Sequence, residues 1–354
     1  MVDVLTRADL ALRGVRVAAP VARSKGAGPT DDGHVVVGGV AMALPISTDS
    51  PWSIVDGLLL HDELPVEAAG PIGAVGRPRF YDLETADGIA YHQLARLHGS
   101  SVLATTVVQT CIRYDEADRC RFCSIEESLN AGATTRVKTP AQLAEVAEAA
   151  VRLDGVQQLV MTTGTSATAD RGARHLARCA AAVHEAVPDL PIQAQCEPPE
   201  DRGALVALHD AGVTAVGIHI EALDDRVRRR WTPGKARVPY ETYEWAWREA
   251  VDIFGWNRVS TYVLVGLGED ADELVAGCRR LIEMGIYPFV VPFRPVGGTL
   301  AVEVDRAPAP SPELLVDVTQ RVADALRASG MSGADQGAGC AACGACSALP
   351  VVGG

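Results

Sequence analysis

The sequence lacks long hydrophobic runs and an excess of positive charge. No apolar run approaches the ~20 residues that a membrane-spanning helix needs; the longest, residues 35–46, is interrupted by Gly38 and Gly39. The 354-residue chain has a formal net charge of −13, which argues against a general nucleic-acid or anionic-membrane surface. Asp3 and Asp9 stand where a signal peptide would have basic and then apolar residues. We therefore expect a soluble cytoplasmic protein without nucleic-acid or membrane partners.

Short β-prone runs alternate with amphipathic helical segments from about residue 101 onwards. The runs cover residues 102–110, 158–162, 192–196, 215–220, 259–265 and 287–293, and helical segments include 139–153, 271–284 and 312–329. Thr139 and Gln142 form a capping box around Pro140 at the start of the first of these helices. Such alternation predicts parallel βαβ units in an open or closed barrel, or in a doubly wound sheet. Ligands bind at the carboxyl ends of the strands in each case.

Three regions follow from these patterns. Residues 1–100, which are rich in glycine, proline and small residues, predict an N-terminal extension of unknown function with a flexible loop at residues 25–33. Residues 101–305 predict the barrel. Residues 306–354 predict a C-terminal helix followed by a Cys-rich tail.

Nine cysteines form two tight groups and three isolated positions. The first group is Cys111, Cys120 and Cys123, the second is Cys340, Cys343 and Cys346, and the isolated cysteines are Cys179, Cys196 and Cys278. Tight groups in a reducing cytosol are typical of metal sites, whereas isolated cysteines are typical of core positions.

The first group follows the first predicted barrel strand. Its three thiolates suit a [4Fe-4S] cluster, whose usual complement is four, so that one iron stays open to another ligand. A zinc site would need four ligands, and His92 and His98 lie upstream but not at zinc-finger spacing. Spacing alone leaves an iron–sulfur cluster, a zinc loop and unlinked thiols as alternatives.

This loop resembles the cluster loop of the radical S-adenosylmethionine (SAM) superfamily. That loop is usually Cys-x3-Cys-x2-Cys with an aromatic residue before the last Cys; Phe122 matches the aromatic position, but the first gap here is eight residues. Residues 162–165 occupy the place of the Gly-Gly-Glu stretch that binds the SAM amino group, with backbone carbonyls replacing the missing acid. The resemblance implies SAM-binding roles for Phe122, Thr163, Gly164, Thr165, Leu264, Gly266 and Glu269, the last three through an adenine-side motif whose first Gly is Tyr262 here.

The resemblance implies a partial (β/α)6 TIM-like barrel with an N-terminal extension and a Cys-rich C-terminal segment. It also implies cleavage of SAM to a 5′-deoxyadenosyl radical, which abstracts hydrogen from a small-molecule substrate, with ferredoxin or flavodoxin as electron donor. Residues 196–199, 233–235 and 260–262 and the tail resemble radical SAM proteins encoded beside nitrilases, which implies nitrile or cyanide metabolism. The alternatives are an iron–sulfur redox or regulatory protein without SAM cleavage, and a sulfur-inserting enzyme of the biotin-synthase type.

Polar residues alternate at the ends of two predicted strands. Gln193, Gln195 and Glu197 share one face of the third strand, and His219 and Glu221 share one face of the fourth. A buried carboxylate needs a partner, so Glu197 and Glu221 predict either SAM or substrate binding or salt bridges at the barrel rim. Lys235 is a candidate partner for a carboxylate, including that of SAM.

The tail has the spacing that opens a bacterial ferredoxin run, Cys-x2-Cys-x2-Cys. Pro350 stands where that run has its fourth Cys. We expect an auxiliary [4Fe-4S] cluster on Cys340, Cys343 and Cys346, with substrate or a distant thiol such as Cys196 or Cys278 at the open iron. A zinc clip and a disordered tail are the alternatives, and a packed core thiol is the default for Cys196.

Overall fold

The computed structural model describes residues 2–17, 34–37 and 40–349. The loop expected at residues 25–33 and Pro350 lie outside the described residues. The helices are α1 (Val4–Arg13), α2 (Tyr91–Leu94), α3 (Glu127–Asn130), α4 (Pro140–Asp154), α5 (Ala173–Ala186), α6 (Arg202–Asp210), α7 (Asp225–Trp231), α8 (Tyr240–Phe254), α9 (Ala271–Glu283), α10 (Leu300–Glu303), α11 (Pro312–Ala328) and α12 (Cys340–Cys343). The strands are β1 (Arg16–Val17), β2 (His34–Val37), β3 (Val40–Ala43), β4 (Trp52–Val55), β5 (Leu58–His61), β6 (Leu64–Pro65), β7 (Gly73–Ala74), β8 (Arg96–His98), β9 (Val102–Thr106), β10 (Gln158–Thr162), β11 (Ile192–Cys196), β12 (Val213–Ile218), β13 (Val259–Val265) and β14 (Ile286–Pro292).

The main sheet is an open barrel built from six parallel strands. Its order is β14-β13-β12-β11-β10-β9-β8, and β8 pairs antiparallel with β9. Because β9 to β14 are neighbours in chain order, every crossover advances in the same direction and places its helix on the same face of the sheet. A doubly wound sheet would reverse this order. The partial (β/α)6 barrel is therefore confirmed, and the doubly wound alternative is excluded.

Local sequence signals place the elements close to their predicted bounds. The capping box is present: Gln142 N donates to Thr139 Oγ1 at 3.3 Å, and Thr139 N donates to Gln142 Oε1 at 3.0 Å. Strand β9 ends four residues earlier than expected, because Val108 forms a bridge with Val137 and leaves the sheet. This departure turns the chain into the first cysteine loop.

Among the described residues before β8, the predicted N-terminal extension forms two small sheets with their own core. Strands β1, β4, β5 and β6 form one sheet, and β3, β2 and β7 form the other. Met42, Trp52 and Leu59 are buried between them. The extension also reaches the barrel, since α1 packs on α11 and β8 completes the edge of the main sheet.

The Cys-rich tail begins at the amino-terminal ends of β10 and β11. Gly339 N donates to Oε1 of Gln158, the first residue of β10, at 2.6 Å, and Cys340 N donates to Gln193 Oε1 at 3.3 Å. Ser347 Oγ donates to the carbonyl of Val290 at 2.6 Å. Among the described residues, no helix combines the length and apolarity that a membrane crossing requires.

Candidate functional site

A cavity of about 510 Å³ opens at the carboxyl ends of the barrel strands, where ligands were expected. Most of the residues predicted to bind metal or SAM line it: Cys111, Cys120, Phe122, Cys123, Thr163, Gly164, Thr165, Glu197, Glu221, Lys235 and Leu264. The barrel therefore brings together segments that lie more than 150 residues apart in the chain. Phe122 and Leu264 contribute apolar walls, packed against Trp231 and Phe293.

Two residues of the expected SAM site lie outside this cavity. Glu269 Oε1 accepts hydrogen bonds from the backbone N–H groups of Leu223 (2.6 Å) and Asp224 (3.0 Å), which fixes the start of α7. Gly266 has a φ of +105°, and a Cβ there would lie 2.9 Å from the ring of Pro310. In this structure each residue contacts another loop, Glu269 at residues 223–224 and Gly266 at Pro310. Neither residue lines the cavity.

The three thiols of the first loop are free and half-buried around the cavity. Burial raises the pKa of Cys123 to about 11 and that of Cys120 well above its usual value, so neutral thiols are favoured without a cation. A bound metal reverses this preference because its charge stabilises thiolates. In the described part of the chain, no group of three His, Cys, Asp or Glu side chains converges to hold one metal ion. Three cysteines are the donor set of a cluster that binds each Cys through a different iron.

The eight-residue gap of the first loop carries a clamp. Arg113 donates from Nε to Glu197 Oε1 and from Nη2 to Glu197 Oε2, both at 2.9 Å, and its Nη1 donates to the carbonyl of Gly234. Gly234 N in turn donates to the carbonyl of Asp118 at 2.9 Å. The residues that make this loop longer than the usual motif therefore anchor it to two barrel segments. Sequence reasoning missed Arg113, although the unusual gap was a signal.

Glu197 connects the first loop to the expected SAM amino-group site. Thr165 Oγ1 donates to Glu197 Oε1 at 2.7 Å, and the carboxylate is only 4% exposed. Burial opposes its ionisation, but Lys235 and Arg113 together outweigh burial and hold the pKa of Glu197 below its usual value. The salt bridge considered for Glu197 is thus present.

Glu221 and Lys235 form the second buried ion pair. Lys235 Nζ lies 2.7 Å from Glu221 Oε1 and also donates to the carbonyl of His219 at 3.2 Å. Burial disfavours the ammonium form, yet the surrounding acidic groups, led by Glu221, raise the pKa of Lys235 well above its usual value. The partner of Lys235 is therefore a protein carboxylate.

Two polar atoms at this site are left for a ligand. His219 Nδ1 accepts a hydrogen bond from Tyr262 N at 3.2 Å, and burial, followed by Lys235, lowers the pKa of His219 to about 3. The neutral ring therefore carries its proton on Nε2. Among the described residues, neither His219 Nε2 nor Glu221 Oε2 has a hydrogen-bond partner, although both are buried. One donor and one acceptor beside the cavity fit a polar ligand such as SAM.

Gly164 lies directly against the first loop. A Cβ at this position would lie 2.1 Å from the carbonyl oxygen of Thr110. We expect Gly164→Ala to displace the loop, to lower the free energy of unfolding by about 1–3 kcal/mol and to weaken SAM binding. Urea unfolding and equilibrium SAM binding measure these effects. Gly297→Ala is the matched control, because nothing lies within 4 Å of its added Cβ; equal losses in both variants would contradict the steric explanation.

The tail thiols lie beside a second cavity of about 320 Å³, which shares Gln195, Tyr262 and Cys346 with the first. Cys340 Sγ accepts hydrogen bonds from Tyr262 Oη at 2.6 Å and from Gln195 Nε2 at 3.4 Å. Burial raises the pKa of Cys340 to about 11 and that of Cys343 to about 12. Without a cation nearby, neutral thiols are therefore favoured at these positions.

The side chains of His98 and Arg7, both from the first 100 residues, contact the tail. His98 Nδ1 lies 3.3 Å from Cys343 Sγ, and burial, followed by Arg294, lowers the pKa of His98 to about 4. Arg7 Nη2 donates to the carbonyls of Gly344 (3.1 Å) and Ser347 (2.9 Å). Sequence reasoning considered His98 only for zinc-finger spacing, and it contained no signal for Arg7.

The isolated cysteines are buried, as expected for core thiols. Cys196 also lines the first cavity, that of about 510 Å³, next to Glu197. Cys278 is fully buried on α9, where burial, followed by Glu269, raises its pKa.

Residues 117–281 match the family model described as the radical SAM superfamily. Bacteriochlorophyllide c C-7(1)-hydroxylase from Chlorobaculum limnaeum is 29% identical over 142 residues, which are 40% of this chain and 34% of that protein, so the chain matches about a third of its relative's length.

Solved structures with similar folds include methylornithine synthase (PylB), with a TM-score of 0.48 and 16% identity over 66% of this chain and 64% of that chain. Coproporphyrinogen III oxidase (HemN) from Escherichia coli, a radical SAM enzyme, has a TM-score of 0.43 and 17% identity over 65% of this chain and 52% of that chain.

Proposed function

The chain belongs to the radical SAM superfamily of enzymes, and from this premise we propose that Cys111, Cys120 and Cys123 hold a [4Fe-4S] cluster at which SAM is cleaved. When bound, the cluster supplies the electron that splits SAM into methionine and a 5′-deoxyadenosyl radical. The carrying observation is that the three thiols share one cavity with Thr163, Gly164 and Thr165 at the carboxyl ends of the strands.

The protein's own residues would bind and orient the reactants. The Arg113–Glu197–Thr165 network holds the first loop against the barrel. The Nε2–H group of His219 can donate to SAM or substrate, and Glu221 Oε2 can accept from an amino or hydroxyl group. Phe122 and Leu264 keep water from the apolar side of the cavity, which protects a reactive radical.

We propose a second [4Fe-4S] cluster on Cys340, Cys343 and Cys346. Along β11, Gln193 faces the tail and Glu197 faces the first loop; four residues at roughly 3.3 Å each separate the two ends by about 13 Å. Gln195 and Tyr262 lie between them, at the junction of the two cavities. A small substrate held at this junction would lie between the two cysteine groups.

The proposed substrate and partners follow from the resemblance to the radical SAM proteins encoded beside nitrilases. Residues 196–199, 233–235 and 260–262 carry that resemblance, and from it we propose a small-molecule substrate in nitrile or cyanide metabolism. A cytoplasmic ferredoxin or flavodoxin is the proposed electron donor. A sulfur-inserting reaction differs in its expected outcome, because sulfur from the tail cluster would appear in the product.

The deciding experiment measures 5′-deoxyadenosine released from SAM by anaerobically reconstituted protein with a strong reductant. We expect release from the native chain and none from Cys120→Ala, which removes one cluster ligand. Cys278→Ala, at a thiol outside the cavity, is the matched control and should retain release. An iron- and sulfide-containing native protein that releases none, with or without candidate nitriles, would instead support the redox or regulatory function.

A further inference from the structure

One imidazole lies between two thiols of the Cys-rich tail. His98 Nδ1 is 3.3 Å from Cys343 Sγ, and His98 Nε2 is 3.5 Å from Cys346 Sγ. We propose that His98 is the fourth protein ligand of the tail cluster, together with Cys340, Cys343 and Cys346. This inference rests on the tail cluster proposed above and supplies the ligand that the tail's own sequence lacks.

The backbone beside His98 approaches the Cys343 thiol closely. Gly99 has a φ of +61°, and a Cβ at this position would lie 3.3 Å from Cys343 Sγ, so that a larger residue would crowd the thiol. His98 is paired with Val102 in the β8–β9 ladder. The barrel sheet therefore fixes the backbone position from which the imidazole projects. Neutral imidazole and thiolate are both established iron ligands.

Other candidate ligands are placed less favourably. Cys196 lies near the first loop beside Glu197, and Cys278 is buried on α9. Tyr262 Oη contacts one tail thiol, that of Cys340, whereas the His98 ring contacts two. Neither distant thiol suggested by the sequence is therefore needed to complete the site.

A His ligand changes the electrostatics of the cluster. Replacing a thiolate by a neutral imidazole removes one negative charge and raises the reduction potential, as it does in iron–sulfur centres where His replaces Cys. Arg7 and Arg294, which lie close to Cys346, add positive charge nearby. We therefore expect His98→Cys to retain the cluster but to lower its midpoint potential.

The test uses the 354-residue chain with Cys120→Ala, so that iron is bound mainly at the tail. Iron, sulfide and zinc are measured first. Pulsed electron paramagnetic resonance of the reduced protein, with isotopically labelled histidine, then detects nitrogen bound to the cluster. We expect a histidine nitrogen coupling that disappears in His98→Ala and in His98→Cys, and that persists in Tyr262→Phe.

Three results would overturn the assignment. They are zinc in place of iron and sulfide, an iron–sulfur signal without histidine coupling, and a coupling that survives both His98 substitutions. If His98→Ala loses all iron, His98→Cys decides, because it restores a fourth ligand without nitrogen. Release of 5′-deoxyadenosine by the native chain is measured separately, so failure of the tail assignment is distinguishable from failure of the SAM-cleavage proposal.

Discussion

Arg113→Met is expected to lower the free energy of unfolding by about 3–5 kcal/mol, because it removes the guanidinium that is hydrogen-bonded to a buried carboxylate. Glu197 is 4% exposed and receives charge-assisted hydrogen bonds from both Nε and Nη2 of Arg113. The first cysteine loop also loses its attachment to Gly234. We therefore expect 5′-deoxyadenosine release to fall at least as far as stability does. Urea unfolding and the SAM-cleavage assay measure both effects.

Arg237→Met provides the matched control for this substitution. Arg237 pairs with Asp118 of the same loop, but its side chain is 65% exposed, and exposed pairs contribute only about 0.2–1 kcal/mol. The double variant Arg113→Met, Glu197→Gln removes the stranded charge and should recover part of the lost stability. Similar losses of stability at Arg113 and Arg237, or no recovery of stability in the double variant, would refute the proposal that Arg113 anchors the first cysteine loop.

Arg7→Met is expected to release the Cys-rich tail while the first cluster stays in place. Arg7 is 3% exposed, and its guanidinium binds the carbonyls of Gly344 and Ser347, which would lose their partner in the buried interior. Iron should fall from about eight atoms per chain to about four, since each cubane contains four. Metal analysis checks this loss, and 5′-deoxyadenosine release should persist.

Arg13→Met is the control for Arg7, since it lies on the same helix and pairs with Asp9 at the surface. It should retain the full iron content. Loss of SAM cleavage together with tail iron in Arg7→Met would show that the two sites do not load independently. Full iron in Arg7→Met would mean that the extension does not hold the tail.

Local sequence signals were sufficient to place the strands and helices of the barrel region. Period-two runs and capping residues such as Thr139 and Gln142 act through neighbours a few positions away in the chain. Their effect on secondary structure therefore depends little on the tertiary context. The choice between a barrel and a doubly wound sheet depends on strand order, which the alternation of strands and helices leaves open. Only the pairing of β9 to β14 in chain order resolved it.

For the candidate site, too, the sequence predicted one part and the tertiary structure decided the rest. The sequence by itself identified the two cysteine groups, and most of the residues that it predicted to bind metal or SAM line the 510 Å³ cavity, because their spacing and their positions at strand ends are local properties. The tertiary structure decided which groups they meet: Arg113 with Glu197, and Arg7 and His98 with a tail that follows them by more than 240 residues. Such pairings arise when the fold brings distant segments of the chain into contact. Local sequence patterns do not predict which distant residues will meet. The polar partners of both cysteine groups were therefore set by the fold.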